Sequence, residues 1–145
     1  MKTIRDFFPE FVGAEKVKAF FGRFPTLHDC EVLSIDLDRE LQADSSGPKV
    51  KIDFFAFDSE ADPSSPSRRP AKLTMLFEKV EIEALQGFNH QNAFSDLKAE
   101  EYQCARLKER RLRFQFGEGW SFHFTAARVQ VLDIQPFTPT EWFPE

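Results

Sequence analysis

Apolar side chains recur along this chain with two different periods, and the change of period separates two kinds of structure. Near the N-terminus, Val17, Phe20 and Phe21 fall at helical spacing while charged residues face away, which predicts a helix over about residues 9–22. Gly22 suits the left-handed cap at the end of that helix. We expect the apolar stripe of the helix to cover a sheet.

Apolar and polar residues then alternate with a period of two in several segments, which is typical of strands with one buried face. The clearest case is the run in which Val50, Ile52 and Phe54 share one face. The predicted strands are Glu31–Arg39, Lys49–Asp58, Lys72–Phe77, Lys79–Leu85, Arg110–Phe116, Trp120–Ala126 and Arg128–Gln135.

Alternation also assigns faces and connections within this set of strands. The residues predicted to share a buried face are Leu33, Ile35 and Leu37 in the first strand, and Val80, Ile82 and Ala84 in the fourth. Arg111 and Arg113 would then face solvent beside acidic strands. Gly117-Glu118-Gly119 predicts a tight hairpin, and the adjacent pair Val131-Leu132 breaks the alternation and indicates a bulge.

These elements predict one domain over residues 1–145, of the α+β class and β-rich. It would have a mainly antiparallel sheet of about seven or eight short strands and one N-terminal helix. The β-rich body spans about residues 27–136, and a proline-rich tail covers residues 136–145. The polar segment Asp58–Pro70 is predicted to be a mobile surface loop between strands.

Charge and cysteine content narrow the class of protein. The net charge of −5 argues against a general nucleic-acid-binding protein, whereas an acidic protein can attract a basic protein partner. Cys30 and Cys104 are far apart in the sequence, which favours free thiols in a reducing compartment. The sequence has no signal-peptide pattern and no apolar run near the roughly 20 residues of a membrane span, so we expect a cytoplasmic protein without a membrane partner.

The sharpest polar cluster comprises His28, Asp29, Cys30 and Glu31. A metal site could combine His28 and Cys30 with His90 or His123, but the spacing matches no common zinc pattern. A cysteine nucleophile would need an electropositive pocket, and no nucleophile elbow, phosphate loop or paired-acid motif is present. We favour a structural interpretation, in which His28 and Asp29 bond local backbone and Cys30 packs inward. No catalytic, metal-binding or cofactor-binding residue is therefore predicted.

A second unusual segment, Leu85–Asn92, follows a predicted strand and combines amides with one glycine and one large aromatic. Its candidate structural or interface residues are Gly87, Phe88, Asn89, Gln91 and Asn92. Asn and Gly tolerate left-handed backbone angles, and amide side chains bond nearby main chain. We interpret the segment as a self-bonded connection in which Phe88 enters the core while Asn89 and Asn92 hold the backbone.

Several functions remain open from the residues alone. The candidate contacts for a basic protein partner are the carboxylates predicted on exposed strand faces, Asp36, Asp38, Glu81 and Glu83. Alternatively, the aromatic strands line a small-ligand cavity with His28 or His123 at its mouth. A homodimeric scaffold that pairs through edge strands is a third alternative. Phe55 and Phe57, opposite the core face of their strand, are either covered by the helix or exposed as a contact patch.

Three stretches together resemble a known family. They are LHDCEVLSIDLDRE at residues 27–40, LTMLFEKVEIEALQGFNHQN at residues 73–92 and GEGWSFHFTAARVQVLDIQP at residues 117–136. In order and spacing they resemble the immunity protein 50 family of bacterial polymorphic toxin systems. The resemblance implies a non-enzymatic protector that binds a cognate toxin made by the same cell and blocks it.

Overall fold

The computed structural model describes residues 2–39, 48–65, 68–89, 92–94, 97–104, 109–117 and 120–137. The described strands are β1 (Lys2–Thr3), β2 (Glu31–Asp38), β3 (Lys49–Ala56), β4 (Ala71–Glu78), β5 (Glu81–Gln86), β6 (Lys98–Cys104), β7 (Glu109–Gly117), β8 (Ser121–Ala126) and β9 (Arg128–Pro136). One helix, α1 (Glu15–Phe21), follows two 3-10 turns at Ile4–Asp6 and Phe8–Glu10. The prediction of a β-rich fold with one N-terminal helix is confirmed.

The described strands form two antiparallel sheets that face each other. Sheet one has the order β1-β6-β7-β8-β5, and sheet two has the order β2-β3-β4-β9. All seven predicted strands have a counterpart, and the predicted hairpin joins β7 to β8, with Gly117 paired to Ser121. None of the described helices is long and apolar enough to cross a membrane.

Phenylalanine rings fill the space between the two sheets. The ring of Phe77 on β4 lies 5.1 Å from that of Phe114 and 5.0 Å from that of Phe124, measured between centroids. Phe54 on β3 stacks on Phe116 at 5.9 Å. Such ring pairs contribute about 0.5–1.5 kcal/mol beyond the area they bury. The face of each sheet that looks toward the other is called its inner face below, and the opposite face its outer face.

The helix is shorter than predicted, because the segment before it pairs with a strand. Val12 forms a parallel bridge to Gln130 of β9. Gly13 then turns the chain with φ +81°, and a Cβ there would lie 2.5 Å from the Val131 carbonyl oxygen. The predicted cap is confirmed, since Gly22 is left-handed with φ 84° and its N–H bonds the Lys18 carbonyl oxygen.

Three strands carry bulges, of which the sequence indicated one. In β9, Thr74 of β4 pairs with Asp133 and Met75 pairs with Val131, so Leu132 is the extra residue, as predicted. In β2 the extra residue is Leu33, and in β5 it is Glu83. The predicted faces of those two strands are therefore right for Ile35, Leu37 and Ile82 but wrong for Leu33 and Ala84. Val32 shares the inner face of β2 with Ile35 and Leu37, and Ile82 shares the inner face of β5 with Leu85.

The two sides of this β-sandwich differ in whether other segments cover the sheet edges, and we name them the closed flank and the open flank. The closed flank is the side of β1 and β9, where residues 2–21 cover the sheet edges. The Val12 N–H bonds the Val129 carbonyl at 3.1 Å, and the Ile4 N–H bonds the Leu97 carbonyl at 3.1 Å. The open flank is the side of β2 and β5, which are the outermost described strands of their sheets.

Backbone contacts at both ends place β2 and β5 on the same side of the molecule. The residue before β5, Val80, donates its N–H to the Pro48 carbonyl at 3.0 Å, beside the end of β2. The segment after β5 returns to the start of β2, where the Val32 N–H bonds the Asn92 carbonyl at 3.0 Å. The two edge strands therefore run along one flank in opposite directions.

The loop over residues 58–70 is tied to the body by buried and aromatic contacts. The Asp58 carboxylate is buried and accepts 2.7 Å and 3.3 Å bonds from Arg23. Arg68 donates to the Ala61 carbonyl at 2.9 Å and lies over the Phe57 ring. Phe55 is buried, and its ring packs on those of Phe57 and Phe137. Of the two alternatives for Phe55 and Phe57, the exposed contact patch is thus not supported.

Arg111 does not face solvent as predicted, because it lies under the turn between β4 and β5. Its side chain is 1% exposed and bonds the Glu109 carboxylate at 2.6 Å. It also donates to the Thr125 hydroxyl at 3.1 Å and to the Lys79 carbonyl oxygen. A buried guanidinium is tolerated only when its N–H donors are hydrogen-bonded. Arg111 therefore stabilises the turn and does not contribute a charged side chain to the exposed surface.

Candidate functional site

The His-Asp-Cys run forms a tight turn that leads into β2. Leu27 and Asp29 have φ of 62° and 64°, a left-handed conformation that is uncommon outside glycine. The Cys30 N–H bonds the Leu27 carbonyl at 3.2 Å, and the His28 N–H bonds the Thr26 hydroxyl at 3.3 Å. The turn therefore points the His28 and Asp29 side chains away from the core, with His28 Nε2 lying 3.4 Å from Asp29 Oδ2.

Cys30 is a buried packing residue with two sulfur contacts to the backbone of Phe57. The Phe57 N–H donates to Sγ at 3.5 Å, and Sγ lies 3.6 Å from the Phe57 carbonyl oxygen. Burial raises the pKa of the Cys30 thiol to about 12. The thiol is consequently protonated at neutral pH, which is unsuitable for a nucleophile. The Cys104 side chain lies outside the part of the chain that the structure describes.

The metal hypothesis gains no support from the described geometry. Within the described ranges, no three His, Cys, Asp or Glu side chains converge closely enough to hold a metal ion. The sulfur of Cys30 points into the core, whereas His28 lies at the surface. His90, the second candidate ligand, lies outside the described residues.

Asn92 is the structural centre of the second motif, and we call its contacts the Asn92 junction. Asn92 is 3% exposed. Its Oδ1 accepts the Asn89 N–H at 2.8 Å, and its Nδ2 donates to the Asn89 carbonyl at 2.6 Å. Nδ2 also lies 3.5 Å from the Val32 carbonyl, and the Asn92 N–H bonds Glu31 Oε1 at 3.2 Å. The side-chain amide thus closes the turn after β5, and the backbone N–H ties that turn to the start of β2.

The junction brings together two motifs that are distant in the sequence. The Phe94 N–H bonds the Cys30 carbonyl at 3.0 Å, and Ala93 bridges to Glu31. The indole of Trp120 donates to the Ala93 carbonyl at 2.7 Å, which ties the hairpin of sheet one to the same place. Nothing in the sequence signalled these contacts, because they depend on how the two sheets are stacked.

The prediction that Phe88 enters the core is wrong. Gly87 turns the chain with φ 75°, and Phe88 stays 41% exposed with its ring edge-on to Trp120 at 6.1 Å. Phe94 is the residue that enters the core, where it contacts Phe54 and Phe116. Backbone hydrogen bonds between residues 92–94 and the start of β2 direct the Phe94 side chain into the core. Phe88 lies before this segment and stays at the surface. The neighbouring candidate Gln91 lies outside the described residues.

The four candidate carboxylates lie on the two edge strands of the open flank, two on each sheet. Asp36 and Asp38 stand on the outer face of β2, across from Lys51 and Lys49 of β3. Both carboxylates are exposed.

The two carboxylates on β5 are placed differently. Glu83 receives two bonds from Arg113, at 2.9 Å and 3.2 Å. This contact raises the pKa of the Arg113 guanidinium, first through the hydrogen bond to Glu83 and then through Glu100. The charge of Glu83 is thus balanced within the fold. Glu81 is exposed at the start of the strand.

Exposed apolar side chains accompany these acids, and sequence reasoning missed them as a surface. Leu37 is 48% exposed, Ile82 41% and Leu85 38%. All three project from the inner faces of edge strands, where no further described strand covers them. Alternation marked Leu37 and Ile82 as core residues, since a period of two in the sequence cannot tell whether another element covers that face. Beside Phe88, a surface concavity of about 420 Å³ is lined by Gln86, Gly87, Trp120 and Ser121.

Comparison with curated proteins and with solved structures finds no similar one. The family model described as Immunity protein 50 matches residues 13–137. This match includes α1, all strands from β2 to β9 and both motifs that meet at the Asn92 junction. The chain therefore belongs to the Immunity protein 50 family.

Proposed function

We propose that this protein is an immunity protein that binds a cognate toxin domain and neutralises it by occlusion, without catalysing a reaction. The observation that carries this proposal is the match of the Immunity protein 50 family over residues 13–137. The family description implies a toxin as the protein partner.

The use of the motif side chains supports binding rather than catalysis. In the Asn92 junction, the amide of Asn92 and the Glu31 carboxylate bond backbone groups of the chain itself. The Cys30 thiol is buried, and its raised pKa keeps it protonated. The polar groups that first suggest chemistry therefore hold the fold together, and the surface is left to make contacts.

Asp36, Asp38, Glu81 and Glu83 are proposed to contribute to the contact with a basic toxin. Opposite charges on two partners speed their encounter and exclude wrong partners, even where they add little net affinity. Asp36 and Asp38 are suited to this role, because both are exposed on the outer face of an edge strand. Glu83 is less available, since Arg113 already binds both of its oxygens.

A small-ligand-binding role has weaker support. Phenylalanine rings occupy the interior between the sheets, so the described aromatic strands pack on one another rather than around a space. The concavity beside Phe88 is open and has a single aromatic lining residue, Trp120. Ligand sites are usually enclosed and lined mainly by apolar side chains.

Co-expression with the toxin domain encoded by the neighbouring gene tests the proposal. We expect the active toxin alone to stop growth, and the same toxin with this protein to permit it. An inactive toxin variant should co-purify with this protein at a fixed stoichiometry, which shows that protection follows from binding. Growth arrest in the presence of well-folded protein, together with no co-purification, would contradict the proposed function.

A further inference from the structure

We propose that the toxin docks on the open flank, where an extended segment of alternating basic and apolar side chains lies along the free edge of β2 and covers Ile82 and Leu85 of β5. This inference rests on the proposed function and names the surface and the recognition chemistry. It requires an available strand edge, a matching side-chain pattern and a reason to prefer a basic partner over a second copy of this chain.

The available edge is the second half of β2. Its first half is already occupied, because Val32 bonds Asn92 and Cys30 bonds Phe94. Residues 34–38 pair with β3 on one side, and no described strand pairs with them on the other. A strand edge presents a row of backbone donors and acceptors that can accept another chain. At roughly 3.4 Å per residue, this free edge is about 17 Å long.

The side chains along this edge alternate in chemistry. Ile35 and Leu37 pair with Ile52 and Val50 on the inner face of sheet two. Asp36 and Asp38 point to the outer face, as does Ser34, whose hydroxyl donates to Asp53 at 2.9 Å. Residues opposite each other on paired strands lie on the same face and interact directly. A strand added beside β2 would therefore match it best with apolar residues inward and basic residues outward.

The facing edge of sheet one offers an apolar surface to the same occupant. Ile82 and Leu85 project from β5 toward the space between the sheets and are about two-fifths exposed. On the closed flank, the equivalent space is filled by residues 2–21, which bring Phe8 and Phe11 into the core. The open flank lacks such a cover among the described residues, and an inserted partner segment would provide it.

Charge decides between a toxin and a second copy of this chain. If two copies paired through β2, Asp36 and Asp38 of both copies would lie on the same face of the joined sheet, close to one another. Like charges directly opposite each other destabilise paired strands, and edge charges are a common protection against self-association. The same carboxylates favour lysine or arginine on an incoming strand. Electrostatics at the open flank therefore disfavour pairing with a second copy of this chain and favour a basic partner.

Paired variants of the full chain test the surface, with the inactive toxin domain as the binding probe. Leu85→Ser is matched by Leu132→Ser, since these leucines are 38% and 39% exposed on the open and closed flanks. Asp36→Lys is matched by Asp133→Lys on β9, an exposed residue of the closed flank. We expect the open-flank variants to weaken toxin binding at least tenfold and the closed-flank variants to change it less than twofold. All four should melt within a few degrees of the wild type.

Hydrogen exchange on the complex gives a second readout that does not depend on a substitution. We expect backbone amides of residues 34–38 to become protected on toxin binding, while those of α1 and β9 stay unchanged. Toxin binding by all four variants at wild-type affinity would overturn the open-flank site and leave the proposed function standing. Wild-type protein that fails to bind the toxin would instead refute the proposed function. A wild-type dimer that Leu85→Ser converts to a monomer would show that a second copy occupies the flank, and it would overturn the inference.

Discussion

Replacing Asn92 with alanine separates a folding role of the Asn92 junction from a binding role. The side chain makes two short bonds, accepting from the Asn89 N–H at 2.8 Å and donating to the Asn89 carbonyl at 2.6 Å. A third contact, to the Val32 carbonyl at 3.5 Å, is too long to contribute much. Alanine removes all three from a site that is almost fully buried.

The expected loss follows from those bonds. Each net hydrogen bond contributes about 1 kcal/mol, and a buried polar group left without a partner costs about 1–3 kcal/mol. Asn89 lies at the surface, so water can replace part of what its backbone loses. We therefore expect Asn92→Ala to lower the free energy of unfolding by about 2 kcal/mol. For a domain of this size, the corresponding fall in Tm is about 4–8 °C.

Urea unfolding and thermal melting measure this change, and toxin affinity is measured on the same preparations below the new Tm. Asn89→Ala is the matched control, because the described side-chain bond that it removes, from Nδ2 to the Gly87 carbonyl at 3.0 Å, lies at the surface. That control should cost less than about 1 kcal/mol. Toxin affinity should stay within a few-fold of the wild type in both variants. A wild-type Tm together with lost toxin binding in Asn92→Ala would refute the reasoning and make the junction part of the interface.

Three further predictions concern the stability of the fold. Because burial raises the pKa of Cys30 to about 12, the folded chain keeps a proton that the unfolded chain loses near pH 9. Stability should therefore fall between about pH 9 and 12, by up to about 1.4 kcal/mol per pH unit, and urea titrations should show a shallower fall in Cys30→Ala. Arg23→Ala should lower the free energy of unfolding by about 1–3 kcal/mol, because it removes two hydrogen bonds from the buried Asp58 carboxylate. Adding Asp58→Asn should recover part of that loss. Strictly additive effects in a double-mutant cycle would contradict this expectation. Gly13→Ala should lower Tm, since Gly13 has positive φ and a Cβ there would lie 2.5 Å from the Val131 carbonyl oxygen; a wild-type Tm would count against the close contact.

The central strands were predictable because the sequence of each one alternates between apolar and polar residues. In β3 and β4 the inner-face residues alternate strictly, and both neighbours of each strand are also strands. The cap at Gly22 and the bulge at Leu132 were likewise marked by local residues, a glycine in one case and a broken alternation in the other. Local rules succeed where the backbone choice depends on adjacent residues.

Two described strands, β6 and β1, were not predicted, because neither contains such a local signal. β6 (Lys98–Cys104) has few apolar residues and carries ion pairs such as Glu100 to Arg113, and β1 is a two-residue strand that pairs with β6. The burial of Arg111 depends on a carbonyl of Lys79 from a distant turn.

The candidate site shows the same limit. Its polar residues were recognised from the two motifs in the sequence. The contacts that join these motifs at the Asn92 junction were not predicted. The exposure of Leu37 depends on which side of the sheet lacks a neighbour.

The position of β9 has a consequence for when the fold is completed during synthesis. β9 is the strand that β4, α1 and the Val12 segment all contact, and each of these precedes it in the chain. During synthesis, β4 therefore keeps an open edge, and the Val12 segment has no strand to pair with, until β9 has left the ribosome. Contacts of such long sequence separation also fold slowly. Under the proposed function, protection must accordingly come from copies that were completed and folded earlier, because a chain still in translation lacks β9.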